Sequence, residues 1–253
     1  MDWYIILAVI SVGIVAGFIN TLAGSGSLLT LPLLMFLGLP ANVANGTNRI
    51  AILLQNIVGV SSFKKQQVLS FREGLKIGLP STAGSLLGAR IAVNLSEDIM
   101  TKTIAGLLIF MFFLILLNPS RWIKSREGNP PVTRWLQIVI FFVIGIYGGF
   151  IQAGVGFFLL AGLVLGAGYD LVKANAIKVF IILLYTPFAL AVFIFNDLVD
   201  YKLGLILAAG NMLGAFIGAR YAVKFGPRAV SYFVLAVLAF ASMKLLGVFD
   251  LIL

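Results

Sequence analysis

The sequence contains no charged residue between Asp2 and Arg49. A helix that crosses the hydrocarbon core of a bilayer needs about 20 apolar residues, so this stretch is long enough for two membrane segments. Of the 253 residues, 61% are hydrophobic and 11% are charged, whereas soluble domains carry roughly 25% charged residues. The composition therefore predicts an integral membrane protein and excludes a soluble enzyme, a nucleic-acid-binding protein and a disordered chain.

The chain lacks cysteine and histidine, so disulfides and thiol catalysis are excluded and the commonest metal ligand is missing. We expect neither a metal site nor a cofactor. The net charge of +9 comes from basic residues in short loops between apolar runs. In a membrane protein this pattern sets the orientation of the chain and does not indicate a nucleic-acid surface.

Apolar runs predict an all-α polytopic membrane protein of ten segments. Two of them, 25–38 and 155–168, are short and rich in glycine. A polar, basic stretch at 118–134 divides the chain into a first membrane repeat, 1–117, and a second, 135–253. No basic region of the kind that opens a cleavable signal peptide precedes the first segment. The predicted segments are 3–21, 25–38, 42–62, 74–95, 102–117, 135–153, 155–168, 174–196, 203–223 and 229–249.

The two halves resemble each other in sequence. Residues 13–20 align with residues 145–152, 132 positions later, and the G-x-x-x-G-A-R run at 84–90 aligns with the one at 214–220, 130 positions later. Matches in register over about a hundred residues favour an internal duplication. The alternative is that glycine-rich membrane helices are all alike.

Equivalent loops of the two halves carry opposite charges. Lys64, Lys65 and Arg72 follow the third segment, whereas Asp197, Asp200 and Lys202 follow its counterpart. Because cytoplasmic loops collect Lys and Arg, we predict inverted repeats of five segments each, a cytoplasmic linker and extracytoplasmic termini. If the two short segments are re-entrant, eight helices cross the membrane and the halves are parallel.

The two short segments predict a binding site. Paired, interrupted segments in inverted halves are the best sequence indication of a transporter site. A helix broken inside the bilayer exposes backbone N–H groups, and an anion at the new helix N-terminus can satisfy them. Alternatively, the glycine and serine residues only allow close helix packing.

Polar residues inside apolar runs form the second part of this site. Asn45, Asn48 and Arg49 open segment three, and Asn175 and Lys178 stand at the equivalent place in the second half. Ionisable groups within a membrane are functional candidates because their burial is costly; snorkelling to the lipid headgroups is the alternative. The candidate substrate-binding residues are Asn20, Gly24, Ser25, Gly26, Ser27, Asn45, Asn48, Arg49, Gln152, Gly154, Gly156, Asn175 and Lys178.

No carboxylate lies deep within a predicted segment. This absence disfavours a cation substrate and leaves open whether a proton or another cation is coupled to transport. The chain has no G-x-x-x-x-G-K-[ST], H-E-x-x-H or G-x-S-x-G run, which disfavours ATP hydrolysis and an intramembrane enzyme. The residues favour a secondary transporter for a small anion, with a passive anion channel as the alternative.

The run from Gly17 to Pro32, GFINTLAGSGSLLTLP, resembles the first signature of the sulfite exporter TauE/SafE family of bacterial membrane permeases. The resemblance covers nearly the whole chain. The second signature, at 149–156, departs from the family pattern because phenylalanine follows at 157 and 158 and a later proline is missing. The resemblance implies transport of sulfite, sulfoacetate or another organosulfonate across the bacterial inner membrane. The sequence leaves open whether the protein is a monomer or a homodimer.

Overall fold

The structure, a computed structural model, describes residues 2–117 and 131–221. Within these ranges it is all-helical, as predicted. Predicted segment 229–249 and most of the basic linker lie outside the described residues. The helices are α1 Trp3–Ala23, α2 Ser27–Phe36, α3 Ala41–Lys65, α4 Phe71–Val93, α5 Glu97–Leu116, α6 Arg134–Phe150, α7 Val155–Ala161 with a π-helical continuation over Gly162–Gly166, α8 Leu171–Ile194 and α9 Tyr201–Tyr221.

Four described helices are long and apolar enough to cross a membrane: α1, α5, α8 and α9. Large apolar side chains such as Leu79, Phe113 and Leu205 are more than half exposed on the protein surface. A water-soluble protein rarely exposes so much apolar surface, but a bilayer covers it. The fold is that of a multi-pass helical membrane protein.

Helices pack chiefly across the boundary between the two halves. The most extensive contacts join α1 to α9 and α4 to α6, followed by α3 to α9 and α4 to α8. These contacts are close because glycines remove the side chain between helices: Gly17 faces the backbone of Asn211, and Gly149 faces the backbone of Ser85. Neither half therefore forms its core alone.

Contacting residues show the direction of each helix. Along α1 and α9, Gly13 meets Gly210 and Thr21 meets Gly218, so these helices are parallel, and the same reasoning makes α3 parallel to α9. Helices α4, α6 and α8 are likewise parallel to one another. Gly46 lies beside Phe193, and Gly59 beside Val179, so α3 and α8 are antiparallel. Thus α6 runs opposite to α1, α8 runs opposite to α3, and α9 runs opposite to α4, which are the helices found about 130 positions earlier in the sequence.

The helix ends form two faces of different charge. The first, called the basic face below, holds the C-termini of α3 and α9 and the N-termini of α4, α6 and α8. It carries Lys64, Lys65, Arg72, Glu73, Lys76, Arg134, Asp170, Lys173 and Arg220. The opposite face carries Asp2, Arg90, Glu97, Asp98, Lys102, Asp197, Asp200 and Lys202. Which face is cytoplasmic stays a prediction, and the positive-inside rule favours the basic face.

Candidate functional site

Both short glycine-rich segments begin at a break in the helical backbone. After α1, Gly24 adopts φ 74°, and α2 starts at Ser27. After α6, the chain is extended at Ile151, and Gly154 adopts φ 74° before α7. A left-handed φ is strained for any residue with a Cβ, so glycine is suited to both turns. The predicted segments 25–38 and 155–168 begin within two residues of these breaks.

The two breaks touch each other. A Cβ added at Gly24 would collide with the Cα of Gly156, and a Cβ at Gly156 would collide with the Cα of Gly24. These glycines are 132 positions apart, the spacing of the internal duplication. The start of α7 and the end of α1 therefore cross backbone to backbone.

Arg49 of α3 donates hydrogen bonds to the C-terminal carbonyl groups of α6. Its Nη2 donates to the Gly149 carbonyl at 2.6 Å, and its Nη1 donates to the Gly148 carbonyl at 3.2 Å. Asn45 Nδ2 donates to the Phe150 carbonyl at 2.8 Å. The last carbonyls of a helix have no partner within the helix and carry partial negative charge. The Arg49 guanidinium supplies these carbonyls with hydrogen-bond donors, and its positive charge offsets their partial negative charge.

Lys178 of α8 does the same for α1. Its Nζ donates to the carbonyls of Asn20, at 3.1 Å, and Thr21, at 3.2 Å, and to Asn175 Oδ1. The pair Asn175 and Lys178 thus repeats in one half what Asn45 and Arg49 do in the other. Both cationic side chains are fully buried, so neither snorkels to the protein surface.

Gln152 and Tyr185 extend the Arg49 cluster. Gln152 Oε1 accepts from Arg49 Nη1 at 3.4 Å, and its Nε2 donates to the Tyr185 hydroxyl at 2.9 Å. Arg49 also stacks on Phe193, with Cζ 4.5 Å from the ring centroid. Sequence reasoning missed Tyr185, although it lies seven residues after Lys178 and hence on the same side of α8.

Three buried donors beside the breaks have no partner among the described residues: Ser25 Oγ, Asn48 Nδ2 and Arg49 Nε. Asn48 Oδ1 accepts from Thr30 Oγ1 of α2 at 2.7 Å, which holds its amide nitrogen next to α2. Because burying a polar group without a hydrogen bond is costly, each of these atoms is a candidate to bind a ligand.

Not every predicted residue needs a ligand to explain it. A Cβ at Gly26 would collide with the Ala16 carbonyl, and the left-handed φ of 74° favours glycine at Gly154. Backbone packing accounts for Gly26 and backbone conformation for Gly154, and a role for either in binding stays a prediction. The nine polar candidates are all at most 6% exposed.

The charge in this interior is positive. Arg49 and Lys178 are buried, and no aspartate or glutamate of the described residues is buried with them. Within the described ranges no group of acidic side chains could hold a metal ion. The described cavities lie nearer the helix ends, at Lys76 and Arg134 for example. The interior chemistry suits an anion.

Comparison with known proteins identifies the family. The family model described as sulfite exporter TauE/SafE matches residues 9–245. The chain is 30% identical over 234 residues to a probable membrane transporter protein, ORF9, of Sinorhizobium sp, covering 92% of this chain and 89% of that protein. It is 29% identical over 241 residues to the probable membrane transporter protein YfcA of Escherichia coli K12, with 93% and 87% covered.

A probable membrane transporter protein of Haemophilus influenzae is 27% identical over 215 residues, 85% of this chain and 84% of that protein. All three relatives match over 84–89% of their own length. The chain belongs to the sulfite exporter TauE/SafE family, and these three relatives are named probable membrane transporters.

Proposed function

We propose that this protein is a secondary transporter for a small anion, of which sulfite, sulfoacetate and other organosulfonates are the leading candidates. One observation carries the choice of an anion: the buried charges of the described interior are Arg49 and Lys178, with no buried carboxylate to balance them. A negative solute near the breaks would offset this charge, because the cost of burying a charge falls when an opposite charge accompanies it.

The unpartnered donors support a site beside the start of α2. Ser25 Oγ, Asn48 Nδ2 and Arg49 Nε are the donors that a sulfonate or sulfite oxygen would engage. The N-terminus of α2 adds the positive end of a helix dipole. Arg49 and Lys178 already bind carbonyl oxygens. They therefore contribute to anion binding chiefly through their positive charge, and Arg49 also through its unpartnered Nε.

Alternating access is favoured over a passive channel because the candidate residues are buried. The pairs α1–α9 and α4–α6 have the most extensive contacts and pack through glycines, which favours movement of each pair as a unit. We propose that such movement, relative to α3 and α8, opens the breaks to one face at a time. The protein is then expected in the bacterial inner membrane, with the basic face in the cytoplasm.

The test is binding followed by flux. Purified protein is heated with sulfite, sulfoacetate, taurine, thiosulfate, sulfate or acetate, and a ligand that binds only the folded state raises the midpoint of unfolding. The best ligand is then followed in proteoliposomes. Saturable flux with counterflow supports a carrier. Flux that never saturates indicates a channel, and conversion of the solute into a product indicates an enzyme.

Asn48→Ala tests the site itself. We expect it to weaken the ligand-dependent rise in unfolding midpoint and to lower flux, because it removes a buried donor. Asn196→Ala is the matched control, because Asn196 is exposed and its side-chain amide donates to the nearby Val192 carbonyl at the end of α8. Equal ligand response in both variants would remove Asn48 from the site. A panel in which no anion shifts the midpoint would contradict the proposed function.

A further inference from the structure

A cavity of about 480 Å³ opens between the N-terminal parts of α4 and α6 at the basic face. Its polar part is lined by Glu73, Lys76, Arg134, Gln137 and Tyr169. None of these residues belongs to the helix breaks. The cavity therefore requires a separate explanation from the transport site.

The cations of this cavity are free to bind an anion. Lys76 and Arg134 are exposed and make no hydrogen bond or ion pair with any residue in the described ranges. The acidic residue nearby is already neutralised, since Glu73 Oε2 lies 2.8 Å from Lys173 Nζ. Burial, and secondly the Glu73 carboxylate, raise the pKa of Tyr169, so its hydroxyl stays a hydrogen-bond donor.

The other part of the cavity is apolar and faces outward. Leu79 is 61% exposed and Ile138 is 38% exposed, and both line the cavity. Next to Arg134, Trp135 is 73% exposed. Tryptophan is enriched at the level of the lipid headgroups. Cations at headgroup depth thus adjoin a lipid-facing apolar surface, an arrangement that matches an amphiphile and not a free ion.

The helix pair α1 and α9 on the opposite face serves as a comparison within the molecule. There α9 packs against α1 as α4 packs against α6. The positions corresponding to Lys76 and Arg134 hold Ile206 and Asp2. The fold therefore forms this helix pair without cations, and packing does not explain why α4 and α6 carry them.

We infer that this cavity binds the phosphate of an anionic phospholipid through Lys76 and Arg134, with its acyl chains along Leu79 and Ile138. Basic pockets between membrane helices are suited to such headgroups. The inference does not depend on the identity of the transported anion. A soluble phosphate shares the headgroup chemistry but gains nothing from the apolar surface, and this difference separates the two sources.

The test uses the purified full-length protein in a neutral detergent. Phosphatidylglycerol, phosphatidylcholine with the same acyl chains, or inorganic phosphate is added, and bound lipid is counted by native mass spectrometry alongside the unfolding midpoint. We expect phosphatidylglycerol to bind and raise the midpoint, and the other two to do neither. The double variant Lys76→Gln/Arg134→Gln should bind phosphatidylglycerol roughly tenfold more weakly or worse.

The matched control is Arg90→Gln/Lys202→Gln, which removes two cations from the opposite face and should leave phosphatidylglycerol binding unchanged. Lys76→Arg, which keeps the charge, should also bind normally and exclude a folding defect as the cause. Equal loss in both double variants would overturn the inference, because the effect would then be general membrane electrostatics. A midpoint shift with inorganic phosphate that equals the lipid shift would overturn it too.

Discussion

Gly24 and Gly156 lie backbone against backbone, one at the end of α1 and the other at the start of α7. They are 132 positions apart in sequence, the offset at which residues 13–20 align with residues 145–152. This contact makes the two helix breaks one structural centre. The cationic caps on either side, Arg49 from α3 and Lys178 from α8, connect each break to the other half of the chain.

The Gly24–Gly156 contact predicts that a single methyl group disrupts the centre. Gly156→Ala should lower the unfolding midpoint, because its Cβ would meet the Gly24 backbone, which cannot move away as a flexible side chain could. Gly106→Ala is the control, since nothing lies within 4 Å of a Cβ there and alanine is the better helix former by about 1 kcal/mol. Equal midpoints for the two variants would contradict the contact.

Gly24→Ala should lower the free energy of unfolding more than Gly156→Ala does. The substitution meets the same backbone and also places an L-residue at φ 74°, which costs about 1–2 kcal/mol more. Denaturant titration of both variants in the same detergent measures the difference. A Gly24→Ala protein as stable as Gly156→Ala would show that the left-handed turn relaxes.

Arg49 should contribute to stability as well as to binding. Arg49→Met leaves the carbonyls of Gly148 and Gly149 without their buried donors, and each unsatisfied group costs about 1–3 kcal/mol. The stability of Arg49→Lys should lie between that of the wild type and that of Arg49→Met, because the lysine ammonium keeps the positive charge but lacks the planar, forked donor geometry of the guanidinium. Arg90→Met, at an exposed position, is the control. Wild-type thermal stability of Arg49→Met would argue against a capping role.

Tyr185→Phe should destabilise the break between α6 and α7 without changing the backbone conformation there. The hydroxyl accepts from Gln152 Nε2 at 2.9 Å in a fully buried position. Its loss leaves a buried amide donor unpaired, at a cost of about 1–3 kcal/mol. Tyr201→Phe, at a position 55% exposed, should have almost no effect. If both variants unfold alike, the Gln152–Tyr185 bond contributes nothing measurable.

The orientation of the two faces can be tested directly, because the natural chain has no cysteine. Lys65→Cys places one thiol on the basic face, and Asn196→Cys places one on the opposite face; both positions are exposed. A membrane-impermeant maleimide should label Asn196→Cys in intact cells and Lys65→Cys only after permeabilisation. The reverse pattern would place the basic face outside.

The composition and the apolar runs were sufficient to predict the class of fold. Nine predicted segments correspond to the described helices, with ends that differ by a few residues, because apolar length, glycine and proline are local properties that the chain carries in its sequence. The breaks were predictable for the same reason, because the glycines at positions 24, 26, 154 and 156 lower the local helix propensity. The family resemblance rested on the longer run from Gly17 to Pro32, and the family-model match over residues 9–245 confirms it.

The partners of the buried polar groups were decided by the tertiary structure alone. Arg49 was expected to face an anion, yet its nearest acceptors are carbonyl oxygens about a hundred residues later, in Gly148 and Gly149. Lys178 likewise binds carbonyls of α1, more than 150 residues earlier. Spacing within one helix shows which side chains share a side. It does not show which helix end the other half of the chain brings against that side, because this depends on packing between distant segments.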